Sequence, residues 1–154
     1  FVKHRWQPVI SAIRYTNHEH ATISEAVQSA VASADVILIA PSNPWLSIAP
    51  ILSIPGLSDL IRSRDVPRVV VTPIIGGTAV KGPTAKIMGE LGLEVTGASI
   101  VDFYGDVING FVNDVQNQDV VYEQLRTVKF DTLMQDLDDK IRLGESILTW
   151  IKGW

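Results

Sequence analysis

Residues 68–86 read RVVVTPIIGGTAVKGPTAK, and this stretch decides the fold. Its three consecutive valines are typical of a strand that is buried on both faces of a parallel sheet. Gly82 and Pro83 then indicate the start of a helix, with Gly82 as its cap, because proline is favoured at the first helical position. The helix is expected to end at Gly92. The stretch therefore predicts one strand, loop and helix of an α/β fold.

A second unit of the same kind precedes it. Residues 36–40 (VILIA) predict another buried strand, placed centrally in the sheet, which stops at Pro41. The helix before this strand is predicted over residues 23–34, since Thr22 and Glu25 form a capping box. Two such units in succession predict a parallel sheet with helices between its strands.

Weaker patterns indicate the remaining elements. Further strands are predicted over residues 9–15, 95–102, 110–114 and 127–129, and further helices over residues 57–63 and 119–126. Thr132 and Gln135 predict the cap of a last helix. The apolar stripe of that helix is expected to consist of Met134, Leu137, Ile141, Leu148 and Ile151. Together these patterns predict a single domain over residues 1–154 with a three-layer, Rossmann-like α/β fold, in which an open, mostly parallel sheet carries helices on both faces.

The composition narrows the classes of function. The net charge of −4 gives no basic field for a nucleic acid, and the apolar runs are too short to cross a membrane. The absence of cysteine excludes disulfides, thiolate metal sites and a thiol nucleophile. Because the sequence begins at Phe1 in a segment (FVKHRWQP) that is neither a signal peptide nor a helix start, the chain is expected to be part of a longer one.

The loop after residues 36–40 carries the first candidate binding residues. In a parallel sheet, ligands bind beyond the carboxyl ends of the strands. Ser42, Asn43 and Pro44 lie there, and the hydroxyl and the amide side chain can hydrogen-bond a phosphate or a base edge. Serine and asparagine also favour turns for local reasons. From these residues alone, a binding loop and a simple turn are both open.

The loop after the triple-valine strand carries the second set. The adjacent Gly76 and Gly77 let the backbone approach an anion, and Lys81 adds a positive charge. The helix start at Gly82 offers free N–H groups, and Thr84 adds a hydroxyl. This is not a P-loop, because Lys81 comes before Gly82 and no serine or threonine follows it directly. A tight turn before a helix is the alternative, but two glycines together with a lysine favour a ligand loop.

Acidic side chains near residues 103–114 (FYGDVINGFVND) are further candidates. Asp106 and Asp114 are each able to hold Mg²⁺ or to orient a hydroxyl. Turn-making in a region rich in glycine and asparagine is the alternative for both. The His18 and His20 pair is better explained by a solvated turn, since no third metal ligand lies near it in the sequence.

Taken together, these segments resemble a known family. FVKHRWQP, ADVILIAPSNPWLSIAPILSIPGL, VVVTPIIGGTAVKGP and YGDVINGFVND follow one another in the order found in the carboxyl-terminal half of the 2-phospho-L-lactate transferase family. The resemblance covers nearly the whole chain, although members of the family are about twice as long. It implies a cytoplasmic enzyme of coenzyme F-420 biosynthesis. Such an enzyme moves a phospholactyl or phosphoenolpyruvyl group from a GDP-linked donor to the deazaflavin Fo, releases GMP and uses Mg²⁺.

The resemblance also implies roles for the candidate residues. The Ser42, Asn43 and Pro44 loop would contact the donor's diphosphate or nucleoside. The loop from Gly76 to Thr84 would bind the phosphates through Gly76, Gly77, Gly82 and Thr84. Lys81 and Asp106 would be catalytic and Asp114 a metal ligand. Because the family's glycine-rich opening and acidic segment are not in this sequence, the chain by itself is expected to be inactive.

Two other readings stay open. A regulator of the gluconeogenesis-factor-like family would bind a nucleotide sugar or dinucleotide without turnover, but its loop reads Gly-Ser-Leu-Tyr-Thr-Ser where this chain has Ser42, Asn43 and Pro44. Alternatively, Trp150 and Trp154 would form an exposed assembly surface for a homodimer.

Overall fold

The computed structural model describes residues 2–4, 6–79 and 82–154. The strands are β1 (Ile37–Ile39), β2 (Arg68–Val71), β3 (Ile74–Ile75), β4 (Thr78–Ala79), β5 (Gly110–Asp114) and β6 (Arg126–Phe130). The helices are α1 (Glu25–Ser33), α2 (Ala49–Leu52), α3 (Leu57–Arg62), α4 (Thr84–Glu90), α5 (Gly97–Tyr104) and α6 (Leu137–Ile151). A π-helical turn (Pro44–Ile48) and short 3-10 turns (Val2–His4, His18–His20 and Gly105–Val107) join them.

Four of the strands form one parallel sheet in the order β1, β2, β5, β6. Leu38 lies opposite Val69, and Val70 lies opposite Phe111. Because all four strands run the same way, their carboxyl ends meet at one edge of the sheet, here called the carboxyl edge. The short antiparallel hairpin of β3 and β4 follows β2 beyond that edge.

Helices cover both faces of this sheet, which confirms the predicted three-layer α/β fold. On one face, Val69, Val71 and Val112 pack against α6. On the other face, Val70 and Phe111 pack against side chains of α4 and α5. Each fully buried aliphatic side chain of this kind contributes roughly 1.5–3 kcal/mol to folding.

The last turn of α6 is anchored by two tryptophans. Trp150 and Trp154 are partly buried against the α6 face of the sheet and stack edge to face, with ring centroids 5.0 Å apart. The guanidinium of Arg126 lies 4.8 Å from the Trp154 ring centroid. The prediction that these tryptophans form an exposed surface is therefore wrong, because their rings pack within the chain; the homodimer stays a prediction.

The predicted strand over residues 95–102 is wrong, because this segment forms helix α5. The hydroxyl of Thr96 accepts a hydrogen bond from the Ser99 N–H at 3.2 Å and so caps the helix. Ile100, Val101 and Tyr104 recur at helical spacing and are buried against the sheet. This spacing outweighed the β-branched composition of the segment.

Two other predicted elements do not form. Residues 119–126 make no helix; a turn with a single Tyr122–Leu125 bridge leads directly into β6. Residues 9–15 make no strand. Their polar groups bind outside the sheet, where the Ile10 N–H donates to Glu90 at 2.9 Å.

The helix starts are displaced from the predicted caps. Helix α1 is capped by Ser24, whose hydroxyl accepts from the Val27 N–H at 3.4 Å. Helix α6 is capped by Asp136, whose carboxylate accepts from the Asp139 N–H at 3.0 Å. Thr132 lies outside α6 because it binds the sheet instead.

Strand β1 lies at the edge of the sheet, so its predicted central position is wrong. The side chain of Leu38 is 49% exposed.

Helix α6 also turns a different face inward from the one predicted. Of the predicted stripe, Ile151 is buried and Met134 is partly buried, whereas Leu137, Ile141 and Leu148 are exposed. Leu143 and Ile147, which were not predicted, are the other buried residues of the helix. The sequence of α6 carries two apolar stripes, and the sheet accepts the stripe that continues into Trp150 and Trp154. Among the described residues, no helix is both long and apolar enough to cross a membrane.

Candidate functional site

The predicted binding loops meet at the carboxyl edge. Asn43 ends the loop after β1, and its side-chain oxygen accepts hydrogen bonds from the N–H groups of Trp45 (3.0 Å) and Leu46 (2.9 Å). Its side-chain nitrogen donates to the Thr84 hydroxyl at 3.0 Å. Thr84 is the buried first residue of α4. One side chain therefore ties the loop after β1 to the helix that follows the second loop.

The neighbouring Ser42 offers a hydroxyl at the same edge. Its backbone N–H donates to the Ala40 carbonyl at 2.7 Å, which tightens the end of β1. The side chain is half-buried, and its hydroxyl makes no hydrogen bond to any residue that the structure describes. Pro44 is buried and begins the π-helical turn. The loop thus leaves one hydroxyl for a ligand while asparagine and proline fix its shape.

Gly76 and Gly77 form the turn of the β3–β4 hairpin. Ile75 pairs with Thr78 across them, and their φ angles are +55° and +74°. A two-residue turn with positive φ at both positions is the type I′ class, which strongly favours glycine. The sequence prediction missed this reason for the glycine pair, although two short apolar segments on either side of Gly-Gly are a hairpin signal.

The rest of the second loop is only partly described. Lys81, the predicted catalytic cation, lies outside the described residues, as does Val80. Gly82 is exposed with φ +73°, and Pro83 is the cap of α4, so the helix begins one residue later than predicted.

A small cavity of about 110 Å³ lies between these loops and the segment after β6. Its lining residues are Pro41, Asn43, Thr72, Pro73, Ile75, Thr84, Thr132 and Met134. Thr72 directly follows β2, and its hydroxyl accepts from the Ile74 N–H at 3.2 Å. Sequence analysis did not select Thr72, Thr132 or Met134 as lining residues. The position of Thr72 at the end of a buried strand was the available signal.

A second groove of about 440 Å³ lies on the other side of the hairpin. Gly76 and Gly77 border it, together with the start of α5 at Thr96 and the segment of residues 116–120. The hairpin therefore borders the small cavity through Ile75 and this groove through its two glycines.

Asn117 fixes the hairpin to the end of β5, and sequence analysis did not select it. Its side-chain oxygen accepts from the Gly76 N–H at 2.9 Å. Its side-chain nitrogen donates to the Ile74 carbonyl at 2.7 Å and to the Asn113 side chain at 2.8 Å. Because Gly76 gives its N–H to Asn117, this donor is not directed at a ligand.

Asp114 is fully buried, and protein donors occupy its carboxylate. One oxygen accepts from the Gln116 N–H at 2.8 Å. The other accepts from the Thr132 N–H at 2.9 Å and the Thr132 hydroxyl at 2.8 Å. Three charge-assisted hydrogen bonds compensate the burial of this carboxylate and hold the segment after β6 against β5.

These contacts do not fit Mg²⁺ at Asp114, since the metal would have to displace those donors. In the parts of the chain that the structure describes, no three acidic or histidine side chains are grouped to hold a metal. The metal role of Asp114 stays a prediction.

Asp106 is not brought to the carboxyl edge. It lies in the turn before β5, at the opposite edge of the sheet, and its exposed carboxylate is 3.2 Å from the Arg62 guanidinium. A hydrogen bond with Asp59 and the nearby charge of Asp106 raise the pKa of Arg62. The catalytic role of Asp106 stays a prediction, and this position does not support it.

Comparison with known proteins gives one consistent family. The family model described as "2-phospho-L-lactate transferase CofD" matches residues 1–145. The chain is 35% identical over 149 residues to a 2-phospho-L-lactate transferase of Methanocaldococcus jannaschii, covering 96% of this chain and 47% of that protein. It is 37% identical over 146 residues to one of Methanosarcina barkeri, covering 92% of this chain and 47% of that protein. The chain spans about half the length of these curated relatives, and the half it matches is the carboxyl-terminal one.

Proposed function

The chain belongs to the 2-phospho-L-lactate transferase (CofD) family, and we propose that it supplies the carboxyl-terminal half of a transferase of coenzyme F-420 biosynthesis. The proposed substrates of this transferase are a GDP-linked donor and the deazaflavin Fo. A ribityl hydroxyl of Fo attacks the phosphorus that carries the three-carbon acid. The new P–O bond forms as the bond to GMP breaks, and the hydroxyl proton is lost. A cytoplasmic location belongs to the same proposal.

The hydrogen bond between Asn43 and Thr84 is the observation that carries this proposal. It places the loop after β1 and the start of α4 side by side at the edge where parallel sheets bind nucleotides. The hydroxyl of Ser42, which has no hydrogen-bond partner among the described residues, lies in the same loop. A diphosphate bound here would meet hydroxyl donors, and the sequence adds a positive charge at Lys81, three positions before Thr84.

The chemistry requires charge neutralisation and alignment. Phosphoryl transfer spreads negative charge over the transferring group and the leaving oxygen, and donors fixed in advance stabilise this charge. In this proposal Lys81 stabilises the leaving GMP, while Ser42 and Thr84 orient the diphosphate. Asn43 acts as a positioning residue, because its amide already binds protein groups.

Magnesium belongs to the proposed activity of the whole protein, where it would neutralise phosphate charge. The carboxylate of Asp114 is occupied by hydrogen-bond donors of the protein and does not fit a metal ligand. We therefore expect the magnesium ligands on the amino-terminal half that the relatives possess and this chain does not match.

The test is calorimetric titration of the chain with GDP. Lys81→Ala should weaken GDP binding about tenfold or more, equivalent to about 1.4 kcal/mol. The matched control is Lys152→Ala, which removes an exposed lysine at the opposite edge and should leave GDP binding unchanged. If GDP binds equally well to the wild type and to Lys81→Ala, the proposed role of the second loop is wrong.

A further inference from the structure

The outer edge of β1 has the sequence of an interior strand. Residues 36–40 contain no charged side chain, although β2 is the one strand that pairs with β1 in the described parts of the chain. The Ile37 N–H bonds to the Pro67 carbonyl beside β2, so the alternate residue Leu38 directs its N–H away from the sheet. Natural edge strands are commonly protected by charge or proline. The opposite edge strand, β6, does carry charges, at Arg126 and Lys129.

The helical layer on one face is open beside the same strand. Leu38 lies on the α6 face, since it pairs with Val69. Leu137, Ile141 and Leu148 of α6 fall within about 40° of one another on the helix and are exposed. Leu148 and Val36 line one groove of about 660 Å³, which runs beneath the amino ends of the strands as far as Arg126 of β6. The exposed stripe of α6 therefore comes close to β1 at the amino end of that strand.

The helical layer on the other face is open as well. Helix α1 contacts α3 and lies near Ile37 through Val31. None of its residues is buried, and its apolar residues Ala26, Val27 and Ala30 are exposed. Apolar side chains are thus exposed on β1 and on a helix of each covering layer.

We propose that this surface, formed by the outer edge of β1, by α1 and by the exposed stripe of α6, is where the amino-terminal half of the transferase docks. The curated relatives carry a segment about as long as this chain that the chain does not match. Contiguous exposed apolar side chains of this kind mark a surface that another segment covers. Docking adds a strand beside β1 and covers Leu38 and the α6 stripe with further helices.

Docking would also complete the candidate site. With strands on both sides of β1, the loop of Ser42, Asn43 and Pro44 would follow a strand in the middle of the extended sheet. Nucleotide sites of this architecture lie there. The surface itself rests on the family and on the exposed side chains. It would stand even if the donor were not a GDP compound, and the GDP titration tests that separately.

Single cysteines provide the test, because the chain has none of its own. Leu38→Cys and Leu148→Cys are placed on the surface, and Val121→Cys is the control on a side chain that is 87% exposed elsewhere. The probe is a maleimide, and the partner is the separately produced, cysteine-free amino-terminal half of the Methanocaldococcus jannaschii relative. Sedimentation velocity measures association, and mass spectrometry measures labelling.

The two halves should associate, and labelling should slow by about tenfold or more at both surface positions but not at Val121→Cys. Association without protection of Leu38→Cys would overturn the proposal, and so would a lack of association at micromolar concentration. If labelling of Leu38→Cys slowed as the concentration of this chain rose, with no amino-terminal half added, the occupant would be a second copy of the chain. That result would overturn the proposal. As a second variant, Leu38→Lys should weaken association of the halves without lowering the melting temperature of the isolated chain. If Leu38→Lys lowered the melting temperature of the isolated chain as well as the association, the proposal would be overturned.

Discussion

Asn43 uses one small side chain to organise two loops. Its oxygen holds the first turn after Pro44, and its nitrogen holds Thr84 on another element. The sequence allowed either a binding loop or a turn at this position, and the structure shows the turn explicitly. Because the turn positions Ser42 at the carboxyl edge, the two interpretations are compatible.

The Asn43→Ala variant should therefore lose both the cap of the π-helical turn and the hydrogen bond to Thr84, which links the two loops. We expect the free energy of unfolding to fall by about 1–3 kcal/mol, since partners of a removed group are left without hydrogen bonds. Thr84→Val removes only the link and should cost less. Urea unfolding of both variants and the double variant measures the coupling, expected at about 0.5–1.5 kcal/mol. Additive effects would contradict the link, and Ser33→Ala on exposed α1 is the control.

Asp114 provides a second prediction at this scale, because its buried carboxylate has a clear structural role. Asp114→Asn replaces one carboxylate oxygen by an NH2 group, which must face the N–H of either Gln116 or Thr132, and should lower the free energy of unfolding by roughly 3 kcal/mol. Thr132→Val, which removes one donor, should cost less.

Magnesium distinguishes this structural role from metal binding. In urea unfolding, adding MgCl₂ should leave the free energy of unfolding of the wild-type chain unchanged. It should also leave that of Asp114→Asn unchanged. A magnesium-dependent gain in the wild type that Asp114→Asn abolishes would support the predicted metal role instead.

At the scale of elements, variants of the β3–β4 hairpin test whether its glycines are needed for the turn or for binding a phosphate. Asparagine also adopts positive φ in type I′ turns, whereas valine does not. Gly76→Asn should keep stability close to wild type, and Gly76→Val should lose roughly 1–2 kcal/mol.

GDP titration of the same variants separates the two roles of the turn. If the turn is the only requirement, Gly76→Asn keeps the GDP affinity of the wild type. A stable Gly76→Asn chain with weakened GDP binding would show that a ligand approaches the backbone at Gly76.

Helix α4 also ties down the amino-terminal segment through Glu90. A hydrogen bond from Lys86, together with one from the Ile10 N–H, lowers the pKa of Glu90 below its ordinary 4.5. A lowered carboxyl pKa adds stability above the unfolded-state pKa, and this contribution is lost as the pH falls through the folded-state value. Glu90→Gln should therefore be less stable than the wild type at pH 7, with the difference shrinking below pH ~4.5. A constant difference in urea unfolding across this range would contradict it, and Glu145→Gln is an exposed control.

The sequence predicted those elements in which local pattern and tertiary environment agree. Strands β2, β5 and β6 and helix α3 lie within a residue or two of their predicted positions. Half of residues 95–102 are β-branched, yet the Thr96 cap and the burial of the helical face against the sheet select a helix. The link from Asn43 to Thr84 joins residues 41 positions apart, which no local pattern contains.

At the scale of the whole molecule, strand β1 gives the clearest case of a prediction that failed for an informative reason. Its composition indicated an interior strand, and the structure places it at an edge with Leu38 exposed. The pattern matches the environment that β1 would have with its proposed partner in place. On that proposal, the composition of β1 describes the assembled protein rather than the chain alone.

The chain alone should accordingly bind GDP without turnover. Incubated with the GDP-linked donor, Fo and Mg²⁺, it should release no GMP above the no-enzyme control, as measured by chromatography. Adding the amino-terminal half of a relative should produce GMP. Steady release of GMP by the isolated chain would show that the carboxyl-terminal half holds the complete active site.

The tryptophan pair at the end of α6 gives the molecule a built-in optical probe. Edge-to-face indoles at 5.0 Å couple their electronic transitions, and the coupling requires that Trp150 and Trp154 keep their mutual orientation on the sheet. Near-ultraviolet circular dichroism should therefore follow the detachment of α6 separately from the loss of helix seen in the far ultraviolet. Trp6 and Trp45 lie elsewhere in the fold, so the signal of the pair can be isolated by substituting them.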